Sequence, residues 1–373
     1  MTDEARELVR LVWEQAEPRA AAGDTGYAAE LGTLLAARYE AAQAQSGEYR
    51  HGLARVVRIL ALTPGRDGLE QLVRLLDGHV RHGSGETGPR HVASLLAGAH
   101  DPAELARVLY GRPGPDGLDE LRACLFHELL LRGVDVQASK ELEPLAHWRR
   151  NRRPYSPLAW LPDERRPFEA GSTFRVHSVN GSAYGPPSGL PAEGRLDPPT
   201  PRTTEPARMR DVATKDVHET IVAAPEQGEF GNCDAWVFEP DTPLDPAEVP
   251  ALLPALPMAC VSDLTPTSRF ALARRPLEDI WPMLFGTASM GGCYGGGVGG
   301  AWGRRAAWWS VAGLCGAPSG ATAGEVERIA LGSAWFHFES DSAWFHNEIH
   351  DYGIAALSPD GRRLAVLAAT DTD

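Results

Sequence analysis

Residues 333–350 read SAWFHFESDSAWFHNEIH, and the pattern Ser-Ala-Trp-Phe-His-x-Glu occurs in them twice, nine residues apart. Histidines and carboxylates are ligands that zinc, iron and manganese accept, so the doublet raises the chemistry of a divalent-metal centre. As a helix, the second copy would set His346 and His350 on one face at i and i+4, while Glu348 at i+2 would point elsewhere. That order is not the H-E-x-x-H of zinc peptidases. As two strands joined by an even-length turn at ESDS, Phe336, Phe338 and Phe345 fall on one side. His337, Glu339, His346, Glu348 and His350 then share the other. The spacing therefore predicts a two-faced hairpin, with His337, His346, Glu348 and His350 as candidate ligands of a divalent transition metal that polarises substrate or activates water. Asp371 and Asp373 beside the terminal carboxylate offer further oxygens. A strand pair with a phenylalanine core and a polar outer face would show the same pattern without any ion.

Residues 286–316 form a second candidate. Gly295, Gly297 and Gly300 satisfy G-x-G-x-x-G, and a predicted helix with Arg304 and Arg305 near its start follows. Free N–H groups at a helix start, with an arginine beside them, can hold an anion. The segment 291–305, with Gly295, Gly297, Gly300 and Arg304, is thus a candidate nucleotide or phosphate site. Its context departs from the dinucleotide fingerprint, lacking the preceding strand and the acidic residue about 20 positions on, and no Lys-Ser/Thr completes a phosphate loop. The alternative reading is close packing, in which glycine and alanine let backbones approach while Trp302, Trp308 and Trp309 fill the volume beside them. No G-x-S-x-G elbow, kinase signature set or cysteine with a local catalytic signature occurs. His127-Glu128 and His218-Glu219 read as helix-surface neighbours with no special role.

The elements that must position these residues fall into two halves joined by a connector. Residues 1–150 read as an all-helical domain: ELVRLVWEQ, AAELGTLLAARYEAA, GLARVVRILAL, GLEQLVRLLDGHV and ELRACLFHELLLRG each repeat apolar residues at three- and four-residue spacing. Pro64–Leu72 matches Pro113–Leu121 at a 49-residue offset. In each copy an aspartate (Asp67, Asp116) is placed to cap the next helix. The period suits a HEAT-like array, and the same residues equally suit a bundle. HWRRNRR at 147–153 reads as a helix C-terminus whose arginines oppose the dipole. Residues 151–206 read as an irregular proline-rich connector, although STFRVHSVNG within it can form a strand. From 207 to 373 the pattern alternates. ARMRDVATKDVHETIVAA reads as a helix and CDAWVFE as a strand. PAEVPALLPAL and PLEDIWPMLFGTA read as helices with internal prolines. Asp360-Gly361 between two apolar runs predicts a hairpin. The fold class expected is α+β, an N-terminal helical array followed by an α+β domain ending in an antiparallel sheet.

Composition narrows the function classes. A net charge of −14 over 373 residues disfavours general nucleic-acid binding and docking on anionic membranes. The five cysteines are scattered and odd in number, which fits reduced thiols in the cytoplasm. The N-terminal MTDEARELVR lacks the features of a signal peptide, and no apolar run is long enough to span a bilayer. The stretches GGGVGGAWGRRAAWWSVAGL and GRRLAVLAATDTD resemble a family of uncharacterised proteins from high-GC bacteria, known as a domain of unknown function, mainly over 205–373. That resemblance implies no activity, cofactor or catalytic residue. The leading expectation is a cytoplasmic interaction or adaptor protein with a protein partner. The metal-dependent enzyme and the phosphate binder are the alternatives.

Overall fold

The computed structural model describes residues 3–42, 47–79, 85–111, 118–151, 157–183, 208–265, 268–293, 295–346 and 351–371. The chain divides into two compact units, one of 1–159 with 175–184 and the other of 160–174 with 185–373. The stretch 157–183 therefore serves both: residues 160–174 belong to the second unit and 175–183 to the first. No described helix is long and apolar enough to cross a membrane.

The first unit is helical apart from one small hairpin. α1 (Asp3–Leu11) runs through a π-helical turn at Val12–Ala16 into α2 (Glu17–Ala21), where Pro18 occupies a first-turn position that needs no N–H partner. α3 (Thr25–Ala41) starts at Asp24, whose carboxylate accepts the Tyr27 N–H. α4 (Gly47–Leu62) is buried from Gly52 to Ala61. α5 (Arg66–His79), α6 (Pro89–Ala99), α7 (Pro102–Leu105), α8 (Asp119–Leu131) and α9 (Glu143–Asn151) follow. α3 packs on α4 and α5, α4 on α6, and α6 on α8, so the helices are laid down in succession. α5 begins directly after Gly65, at φ +102°, so Asp67 lies inside the first turn instead of capping it, and Asp116 lies outside the described residues. His127 and Glu128 are also not surface neighbours. α8 is covered on all sides, and both are almost completely buried. β1 (Val176–Ser178) and β2 (Gly181–Ala183) form a tight antiparallel hairpin, Ser178 facing Gly181.

The second unit is a six-stranded antiparallel sheet in the order β3-β4-β8-β7-β6-β5. Its strands are β3 (Met209–Asp211), β4 (Asn232–Pro240), β5 (Phe270–Arg275), β6 (Ala334–Ser340), β7 (Tyr352–Leu357) and β8 (Leu364–Thr370). Its helices are α10 (Lys215–Ile221), α11 (Ala223–Gln227), α12 (Val249–Leu252), α13 (Leu277–Met290), α14 (Gly299–Cys315) and α15 (Ala323–Gly332). Residues 209–211 are thus a strand where the sequence pattern suggested helix, and α10 starts only at Lys215, capped by Thr214, whose hydroxyl accepts the Val217 N–H. The prolines of 246–255 break the expected helix there into short turns around α12. α13 accommodates Pro282 and stays continuous.

Both faces of the sheet are covered, which is why GIAAL and LAVLAA read as unbroken apolar runs with no alternation. One face carries Phe238, Leu272, Phe336, Phe338, Val366 and their neighbours against the 244–264 segment. The other carries Ala235, Leu367, Ile354, His337 and Ala273 side by side across five strands. Helix α14 packs against β7 and β8, and α13 against β5 and β6. Glycines in α14 set the helix spacing: a Cβ on Gly303 would lie 2.6 Å from Ser289 Cβ, and one on Gly313 would lie 2.9 Å from Ile221 N.

The doublet does not fold back on itself. Its first copy is β6, an interior strand whose two edges are taken by β5 and β7. The described part of the second copy, Ser342–His346, is a turn outside the sheet. Phe345 returns from it to pack edge-on against Phe338, with centroids 6.3 Å apart. The Ser342 hydroxyl donates to Cys260 O at 2.7 Å.

Candidate functional site

His337 lies at the centre of the helix-covered face, 1 % exposed, between Ile354 and Ala273. Burial, with Arg275 nearby, lowers its pKa to about 4, so the ring is neutral. His346 is exposed, and its backbone N–H donates to Thr370 Oγ1 at 3.3 Å. Glu348 and His350 lie outside the described residues. Among the described residues no three histidines, cysteines or carboxylates gather in a geometry that could hold a metal ion. The shared face expected of His337 and His346 required a hairpin between the two copies, and β7 takes that place beside β6.

The glycine-rich loop runs from the end of α13 to the start of α14. Gly291 and Gly297 sit at φ +84° and +59°. Its N–H groups are engaged from within: Gly291 donates to Thr287 O, Gly292 to Gly228 O and Val298 to Ala288 O, each at 3.0 Å. Cys293 N donates at 2.5 Å to one oxygen of Asp371, whose other oxygen accepts Gly231 N at 3.0 Å. Asp371, proposed from sequence as a metal ligand, is instead the carboxylate that holds the loop. A Cβ on Gly292 would run into it, and one on Gly295 would run into Gly228 O. Gly300 is buried in the first turn of α14. Glu229, at φ +55°, takes a left-handed conformation in the facing turn, a strained position for a residue with a side chain.

Arg304 is completely buried and does not face the loop. Its guanidinium donates to both oxygens of Glu169, at 2.7 and 2.9 Å, to Pro162 O at 3.0 Å and to Glu164 O at 2.8 Å. Glu169, equally buried, also accepts the Trp308 indole N–H at 2.7 Å and the Arg166 N–H at 2.6 Å. Phe168, Trp160, Trp281 and Trp308 pack around this pair. The two anion-binding features read from the sequence, loop and arginine, do engage anions, and both anions are carboxylates of the same chain.

A different concentration of charge occurs in the first unit, on residues the sequence reading passed over. Arg55 and Arg58 sit one helical turn apart on the buried part of α4, 8 % and 9 % exposed. Arg55 donates to Val179 O, to Asn180 Oδ1 at 3.0 Å and to Glu17 at 2.9 Å. Its guanidinium also stacks 4.3 Å from the centroid of Trp13, which is 55 % exposed. Arg58 donates to Ser178 O at 2.6 Å, to Gly181 O, and to Ser182 Oγ at 2.9 Å. Its Nη1 lies 3.4 Å from His91 Nε2. His91 meets His177 edge-on, centroids 5.7 Å apart. Burial and the neighbouring arginines lower His91 to about 4 and His177 to about 3. Burial likewise pulls Arg58 below the ordinary guanidinium value. One signal in the sequence pointed here: two arginines at i and i+3 inside the apolar run of GLARVVRILAL. Nothing local marked His91 or His177.

The chain belongs to a family of unknown function (DUF6183), whose model matches residues 10–373 and so spans the helical half as well as the sheet. No curated protein and no solved structure matches it.

Proposed function

We propose that this member of the family is an interaction or adaptor protein of the cytoplasm, with recognition carried by its helical unit. The observation that carries the reading is the grouping of Trp13, Arg55, Arg58, His91 and His177 in that unit. An exposed tryptophan against a partly buried guanidinium is the composition that concentrates binding energy at protein interfaces. Further support comes from the second unit, where Asp371 occupies the loop N–H groups and Glu169 occupies Arg304. A phosphate at the 291–305 loop would have to displace both. A metal held by His337, His346, Glu348 and His350 would need His337 to leave the sheet interior.

The test is site-specific photo-crosslinking in cells. A photoreactive side chain replaces Trp13, and a second one replaces Leu331, an equally exposed apolar residue of the other unit. The expected result is one discrete adduct, the same protein in replicate preparations, from position 13 alone. No adduct at position 13, or the same pattern from both positions, overturns the reading.

A further inference from the structure

Little apolar surface holds the β1–β2 hairpin to the helical unit. Of its six strand residues only His177 is even half-buried, and Val176 is 73 % exposed. A two-stranded hairpin is marginal in water by itself, so its attachment must come from other contacts. Two guanidiniums supply them. Arg55 donates to Val179 O and Asn180, and Arg58 to Ser178 O, Gly181 O and Ser182 Oγ, so three backbone carbonyls at the hairpin turn rest on α4. A ring contact joins His177 to His91 on α6. Residues 160–174, just before the hairpin, belong to the second unit, whereas 175–184 belong to the first. The hairpin is therefore the place where the returning chain is fastened. With it detached, residues 1–159 join the rest of the chain only at 159–160.

The fastening depends on protonation. Arg58 Nη1 lies 3.4 Å from His91 Nε2, and arginine can only donate, so this contact needs Nε2 bare. A proton there would set a cation against the guanidinium. A proton on His177, whose ring centroid is 5.7 Å from that of His91, would add another. The charged groups around the two rings are Arg55 and Arg58 from α4, Arg132 from α8, and Arg175 beside the hairpin. The carboxylates are Glu86 beside Arg58, Glu17 at 2.9 Å from Arg55, and Glu128 at 3.6 Å from Arg132. We infer that the β1–β2 hairpin is an acid-released strap, closed on Arg55 and Arg58 while His91 and His177 are neutral and let go when they take up protons. Burial and the neighbouring cations hold His91 at about 4 and His177 at about 3 in the closed form. Released, both rings return toward the ordinary 6.5. The open form then binds protons that the closed form does not, so closure is fully favoured above pH 6.5 and is lost as pH falls below it. Two independent rings would raise the opening constant about a hundredfold at pH 5.5; partial exposure of both reduces this to about tenfold or more. The strap goes beyond the adaptor reading, and a crosslink at position 13 neither requires nor excludes it.

The experiment is native-state hydrogen exchange of the full chain at pH 7.5, 6.5 and 5.5, corrected for the chemical exchange rate at each pH. Peptides over 175–183 report the strap, and peptides over α8 report the rest of the same unit. Protection of 175–183 is expected to fall about tenfold or more from pH 7.5 to 5.5 while α8 stays protected. In the double variant His91→Gln with His177→Gln, whose amides keep hydrogen-bonding capacity without titrating, protection of 175–183 should vary less than about twofold over that range. Arg58→Gln should leave 175–183 unprotected at every pH with α8 still protected. Constant protection of 175–183 in the wild type overturns the strap, and so does its loss in step with α8, which would be acid unfolding of the whole unit. An unchanged slope in the double variant overturns the role of the histidines. If a variant does not fold, the wild-type comparison of 175–183 with α8 decides.

Discussion

Replacing Glu169 with alanine is the perturbation that most directly tests how the second unit is held together. The substitution removes the bidentate partner of Arg304 and the acceptor of the Trp308 and Arg166 N–H groups. Arg304 cannot turn to water, because it is completely buried and its remaining donors are fixed on Pro162 O and Glu164 O. Removing one member of a buried ion pair costs about 3–5 kcal/mol, since the survivor keeps its desolvation penalty. The orphaned indole N–H adds about 1–3 kcal/mol. Local relaxation offsets part of this, leaving a loss of about 5 kcal/mol, or about 10–20 °C in thermal midpoint for a unit of about 200 residues. Differential scanning calorimetry of the full chain reads it directly. In a double-mutant cycle, Glu169→Leu with Arg304→Met should lose less than the sum of the single changes by about 2 kcal/mol or more, because both charges then leave the interior together. A midpoint within about 3 °C of wild type for Glu169→Ala, or a strictly additive cycle, would refute the reasoning.

Three further outcomes follow from the same structure. His337 is held at about 4 against an ordinary 6.5, so between these values the unfolded chain binds a proton that the folded chain does not. Stability is therefore full above pH 6.5 and falls as pH drops to about 4, by about 3 kcal/mol. Urea unfolding of His337→Leu across that range should lack this slope, and an unchanged slope would assign it elsewhere. Gly292→Ala should cost about 1–3 kcal/mol by overpacking, and most of that should vanish in an Asp371→Ala background. Equal cost in both backgrounds would mean that the carboxylate is not what the methyl meets. Elemental analysis of untagged protein should show any bound divalent ion undiminished in His337→Ala, and its loss there would restore His337 as a ligand.

The helical first half was legible because periodicity at 3.6 residues records which face is buried, as in α3, which buries Ala28, Leu31, Leu35 and Ala36 on one side; α4 and α8 are instead buried all round over most of their length. The Asp360-Gly361 hairpin was legible for a local reason. Gly361 takes φ +68°, and Leu357 then pairs with Leu364 across the turn. The doublet misled because alternation tells which face a strand residue takes and says nothing about which strand lies beside it. β7, with Gly353 under the Phe338 ring, competes for the same edge and wins. Residues 209–211 misled in the same way, since three residues paired to β4 are too few to leave a period.

By itself, the sequence determined the α+β class, the helical first half and the closing hairpin, because burial period and turn chemistry are written within a few residues. It also raised Arg304 and the glycine loop together as one candidate phosphate site, with close packing as the alternative. Only the tertiary structure decided which anions they meet: Glu169, 135 positions before Arg304, and Asp371, 78 positions after Cys293. It alone brought Ser178 and Ser182 onto Arg58 across more than a hundred residues of chain. A charge is satisfied by its neighbours in space. Sequence spacing constrains such neighbours only within a helical turn or a strand pair, so partners from distant segments become visible only once the chain is folded.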